Sequence, residues 1–115
     1  MANTFKVVTK ANVTSADVIY TVAGSTTTVV LGLILGNTTA SQITATVSLA
    51  TDTGNRAGAN NEANQTVELI TSTPIPANSS LELLAGNKIV METTDALSVT
   101  GSGSTDVILS IMEMT

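Results

Sequence analysis

Apolar and polar residues alternate at period two in a series of short runs along this chain, each closed by Gly, Asn, Pro, Ser or Thr. That pattern predicts antiparallel strands joined by turns. The clearest run sets Ile43, Ala45, Val47 and Leu49 against Thr44, Thr46 and Ser48, so one face goes to a core and the other to water. The stretch from Thr73 to Thr100 holds three more runs, marked by Leu81 and Leu83, Ile89 and Met91, and Leu97 and Val99. Earlier, Phe5 and Val7 lie on one side of a weak alternation with Lys6 and Val8 on the other. Residues 1–10 therefore read as an arm or an edge strand, because lysine discourages edge-to-edge pairing. Val18, Tyr20 and Val22 are expected on one face of the next strand and Ile19 and Thr21 on its other face.

Two runs are apolar on both faces. Thr26 to Leu35 assigns Val29, Leu31, Leu33 and Leu35 to one side and Val30, Gly32 and Ile34 to the other. Asp106 to Met114 assigns Val107, Leu109 and Ile111 to one side and Ile108, Met112 and Met114 to the other. A strand apolar on both sides needs cover on both. Val67 and Leu69 resume the alternation after a polar excursion over 51–65, and Pro74 and Pro76 are expected to stop it at a crossover between sheets. Turns about every ten residues point to an all-β, single-domain antiparallel β-sandwich of jelly-roll type with about eight short strands. Helical period is absent beyond one turn within 57–64.

Composition narrows the chemistry. The 115 residues form one domain, with no Cys, His or Trp, one Tyr and one Phe. The usual acid/base, thiolate metal sites and stacking platforms are missing, and no cofactor is expected. A net charge of -5 disfavours nucleic acid, which needs cations to displace counterions. The longest apolar stretch, Val29 to Leu35, is far short of the roughly 18 residues of a membrane span, and the first ten residues do not make a signal peptide, so a protein made in the cytoplasm is expected.

The acids Asp17, Asp52, Glu62, Glu68, Glu82, Glu92, Asp95, Asp106 and Glu113 are scattered, mostly at turn or outward positions, and read as solvated surface rather than a catalytic pair. Asp52, Asn55, Asn60, Asn61 and Glu62 offer oxygen ligands in one loop without the spacing of a helix-flanked calcium loop. Gly54, Gly58 and Gly101 to Gly103 make no phosphate cradle. The sequons at Asn12, Asn37, Asn64 and Asn78 are what chance supplies in a chain rich in Asn, Ser and Thr. Interaction surface remains. The candidate contact residues are Val30, Ile34, Ile108, Met112 and Met114 on the surplus apolar faces, with Arg56, Tyr20 and Phe5 as anchors.

The segments STTTVVLGLILGNTTASQITATVSL, PIPANSSLELLAGNKIVMETTDALSV and DVILSIMEM, with the polar excursion between the first two, resemble small virion structural proteins of tailed bacteriophages. The resemblance runs from about Val18 to the end and rests on pattern. It implies a non-enzymatic β-sandwich present in many copies in the virion, most simply a capsid decoration or cement subunit. Its implied partners are capsid or neck and tail proteins and further copies of itself, a trimer by preference. A neck, tail or baseplate accessory protein, or a receptor- or glycan-binding module using the 51–65 loop, is the alternative. No catalytic residue carries over.

Overall fold

The alternation of the Ile43 run becomes the strand Ile43–Ala50, whose Ile43, Ala45 and Val47 are buried while the threonines between them are partly exposed. The structure is a computed structural model that describes residues 2–52, 65–84 and 86–115. Among them lie nine strands: β1 (Asn3–Val13), β2 (Ala16–Thr21), β3 (Thr27–Asn37), β4 (Ile43–Ala50), β5 (Thr66–Ile75), β6 (Ser80–Leu83), β7 (Ile89–Met91), β8 (Ala96–Gly101) and β9 (Thr105–Met114). They form two antiparallel sheets. The five-stranded sheet runs β1-β9-β3-β6, with β7 also on β3, and the four-stranded sheet runs β2-β8-β4-β5.

This is the strand order of a jelly roll, in which the chain crosses repeatedly between two sheets instead of finishing one before starting the other. The ninth strand arises because one position is split. β6 pairs with Leu33–Gly36 of β3 and β7 with Thr28–Val30, so the two share the flank that a single strand would occupy. Turn residues Gly86 (φ 84°) and Leu84 (φ 63°) sit in the break between them.

The core lies between the inner faces. Leu33 and Leu35 of β3, Val107, Leu109 and Ile111 of β9, Leu97 and Val99 of β8, and Val47 of β4 are each almost wholly removed from water. Strict period two fails at bulges, where one extra residue reverses the phase of all that follows. The register of β3 on β9 shifts between Val30 and Gly32, so Thr28 and Val30 share the inner face with Leu33 and Leu35. Val30 was expected on the outer face with Ile34; it is 1% exposed and belongs to the core. A second shift, between Val18 and Tyr20, puts Ile19 in the core and leaves Val18 in water, reversing the expected faces there.

Pro74 does not stop its strand. β5 continues through it to Ile75, which is fully buried opposite Ile43. β5 is the edge of the four-stranded sheet, where a residue without an N–H is tolerated. The expected crossover follows, since β6 belongs to the other sheet.

Two buried polar side chains hold the connections. Asn37, 3% exposed, donates through Nδ2 to the carbonyls of Ser41 (2.8 Å), Ile75 (2.9 Å) and Pro76 (3.1 Å), and its Oδ1 accepts from Thr39 N (2.9 Å) and Oγ1 (2.7 Å). It thereby joins the β3–β4 turn to the β5–β6 crossover. The Asp95 carboxylate accepts from Glu92 N (3.0 Å) within its own turn and from Asp52 N (3.1 Å) beyond the end of β4.

Candidate assembly face

Cross-strand neighbours share a face, so the register defines what the outer side of the five-stranded sheet presents. Phe5 of β1 faces Met112 of β9, Met112 faces Val29 of β3, and Val29 faces Val90 of β7. These four residues make one apolar row across the full width of the sheet. A second row runs Thr9, Ile108, Ile34 and Glu82, and between them lie Val7, Ser110 and Gly32. Phe5 (72%), Val7 (64%), Val90 (56%), Ile108 (44%) and Ile34 (39%) are exposed to solvent. Among the described residues, the two other large apolar side chains that stand exposed are Val18 and Val67, both on the four-stranded sheet.

Beside the second row, in the break between β6 and β7, the surface forms a concavity of about 200 Å³ lined by Leu31, Gly32, Ile34, Glu82, Leu84 and Ile108. Gly32 keeps its floor open, because no side chain stands there. The volume lies below the roughly 300 Å³ at which small-molecule pockets begin, and suits a single apolar side chain of a neighbour.

The other polar assembly lies in the seam where β1 and β2, edges of opposite sheets, meet. Lys6 of β1 is on the inner side, and its Nζ donates to Glu113 Oε1 at 2.7 Å. Tyr20 Oη donates to Glu113 Oε2 at 2.5 Å and lies 2.7 Å from Oγ1 of the fully buried Thr28. With the phenol proton committed to the carboxylate, the Thr28 hydroxyl is the donor to Tyr20. Burial, together with the hydrogen bond to the Glu113 carboxylate, pushes the Tyr20 phenol up to about 12. The hydrogen bonds from Lys6 and then Tyr20 hold Glu113 below the usual carboxylate range. Lys10 and Asp17 add a longer ion pair, 3.4 Å, across the same seam. A phenol this reluctant to ionise and a carboxylate this strongly solvated by donors are neither base nor nucleophile near neutral pH. The cluster fastens β1, β2, β3 and β9 together.

Among the described residues no group of three or more Asp, Glu, His or Cys side chains is placed to hold a metal, and no helix is long and apolar enough to cross a membrane. Of the residues singled out in the sequence, Ile34, Ile108 and Met112 come together on the outer face. Met114 is half-buried at the end of β9 opposite Asn3 and Thr27, Tyr20 is in the seam, and Val30 is in the core. Arg56, the single turn at 57–64, Glu62 and most of the 51–65 loop lie outside the described residues. Thr51 N and Gln65 O, 2.7 Å apart, close the base of that loop. Phe5, Val29 and Val90 complete the apolar row. Phe5 was singled out as an anchor, whereas Val90 became visible only through its pairing with Val29.

No protein-family model matches the chain, and no curated protein does. Among solved structures it is similar to a chain from Bacillus endospore appendages, described as a novel family of disulfide-linked pili. The identity is 14% and the TM-score 0.49, over 99% of this chain and 87% of that one. The 115 residues here contain no cysteine.

Proposed function

We propose that the chain is a non-enzymatic structural subunit of a tailed-phage particle, a decoration or cement protein that binds its neighbours through the outer face of the five-stranded sheet. The observation that carries the reading is the continuous row Phe5, Met112, Val29 and Val90, joined by Ile108 and Ile34, on a sheet whose inner face already has a complete core. Exposed apolar residues scattered singly are ordinary; a row that runs unbroken from β1 through β9 and β3 to β7 marks a contact surface. Covering it stabilises the contact by about 25 cal/mol per Å² of apolar surface, repeated at each equivalent position of a symmetric shell or ring. The phage setting comes from the sequence resemblance; the face comes from the fold.

The test is the protein content of purified particles. Mass spectrometry should find the chain in wild-type virions, and Ile108→Asp or Met112→Asp should remove it while the isolated variant keeps its β-sheet circular dichroism. Virions that lack the wild-type chain, or that incorporate both variants at wild-type copy number, would refute the reading.

A further inference from the structure

The backbone at the free edge of β1 is unpaired over most of the strand. Ala2 and Thr115 exchange both backbone hydrogen bonds, N to O at 3.0 Å each way, and the register continues unshifted from Asn3 opposite Met114 to Lys10 opposite Val107. In an antiparallel pair, bonded and non-bonded positions alternate. Thr4, Lys6, Val8 and Lys10 therefore bond to β9, whereas the N–H and C=O groups of Asn3, Phe5, Val7 and Thr9 point away from the sheet. β1 pairs with β9 alone. No proline and no bulge interrupts this edge before Lys10.

Edge strands of this length are ordinarily blocked by charge. Here Lys6 and Lys10 point inward and are neutralised by Glu113 and Asp17. They do not forbid pairing of the edge with a second copy of itself, but they do select its register. A two-fold axis at Lys6 would set Lys6 against Lys6, and an axis at Val8 would set Lys6 against Lys10, both like charges directly opposite. An axis at Val7 avoids this, placing Lys6 opposite Val8 and Lys10 opposite Thr4 of the second copy. It also matches the outward groups: Val7 with Val7 and Phe5 with Thr9 in both directions, about six hydrogen bonds in all.

We infer that two copies of this chain join through β1, antiparallel and centred on Val7, into one continuous sheet of twice the width. The outer apolar row then runs on across the axis: Val90, Val29, Met112 and Phe5 of one copy lead to Thr9, Ile108 and Ile34 of the other. The contact is isologous, the commonest symmetry of soluble oligomers. It goes beyond the particle role and does not depend on it.

The experiment is the light-scattering mass of the purified full chain, wild type beside Val7→Pro. The Val7 N–H makes no bond to β9, so proline removes only an outward donor and leaves the β1–β9 ladder whole. The expected result is a wild-type dimer that Val7→Pro converts to a folded monomer. A wild-type monomer, a trimer of the kind the resemblance implies, or a dimer that Val7→Pro leaves intact would overturn the inference. Should Val7→Pro fail to fold, cysteine placement decides in this cysteine-free chain. Val7→Cys, about 5.5 Å from its own copy across the axis, should oxidise to a covalent dimer, and Thr9→Cys, which faces Phe5, should not. Equal yields from the two would overturn it. Because solution mass reads the edge and virion content reads the face, failure of one leaves the other standing.

Discussion

Tyr20 and Glu113 meet across the gap between the two sheets, phenol to carboxylate at 2.5 Å, although 93 positions separate them in the chain. The contact joins the edge strand β2 of one sheet to the terminal strand β9 of the other. Lys6 on the far side of the carboxylate extends it to β1. Because each member is polarised by the next, the ionisation of this group is coupled to folding.

Glu113 is held below its ordinary value of 4.5, first by the hydrogen bond from Lys6 and then by that from Tyr20. A carboxyl with a lowered folded pKa contributes stability above its unfolded pKa and loses it as pH falls through the folded one. Urea unfolding followed from neutral pH down through the carboxylate range should show stability falling with acid. Glu113→Gln should start less stable and fall less steeply over the same range. An identical slope in the variant would mean that other carboxylates carry the acid transition.

Tyr20 is pushed up to about 12 from 10.0. A raised folded pKa gives stability that is complete below pH 10 and is lost as pH rises towards about 12. The chain has one tyrosine, so tyrosinate absorbance reports this group alone. Its titration midpoint in the folded protein should lie well above that in urea, and Tyr20→Phe should flatten the alkaline loss of stability. Removal of the hydroxyl should cost about 1–3 kcal/mol at neutral pH, since Thr28 and Glu113 lose a buried partner.

Asn37→Ala removes the side-chain donor from the buried carbonyl of Ile75 at the junction of two connections, while Ser41 O keeps Thr39 Oγ1 and Pro76 O keeps Ser79 N and Oγ. About 1–3 kcal/mol of stability should be lost, measured as a lower urea midpoint with little change in slope. Asn37→Asp should not rescue it, because a carboxylate supplies no donor to the three carbonyls.

Gly101→Ala tests packing at the β8–β9 turn. A Cβ there would stand 2.7 Å from Val13 O and 2.9 Å from Gly103 O and would press on Thr105 Oγ1. Backbone must move, and a loss of about 1–3 kcal/mol is expected in the same assay. The equivalent change at Gly32, where a Cβ meets nothing, should be nearly neutral in folding.

The fold was legible in the sequence where alternation is unbroken. Ile43 to Leu49 and Val107 to Ile111 show their inner faces by period two alone, and the turn spacing gave the sandwich and its jelly-roll character. What periodicity could not show is where it is interrupted. The bulge near Ile19 is not marked by any residue type and the one near Leu31 only by the adjacent Gly32, and each reverses the faces beyond it, which is how Val30 came to be expected outside. The outer face was half legible. Ile34, Ile108 and Met112 follow from strands apolar on both sides, but their alignment with Phe5 and Val90 is a property of register between distant segments. The seam was not legible at all, because an edge strand carrying lysines reads as a solvated edge until the carboxylates from β9 and β2 are placed beside it.

The two margins of the five-stranded sheet are unequal. One is the long straight border of β1; the other is divided between β6 and β7, four and three residues separated by a break. A fibre needs two margins that can each receive a strand, and this sheet offers a good one on a single side. Growth of this sheet by strand addition therefore ends with the β1–β1 pair we infer, which turns a border able to seed aggregates into a terminating one.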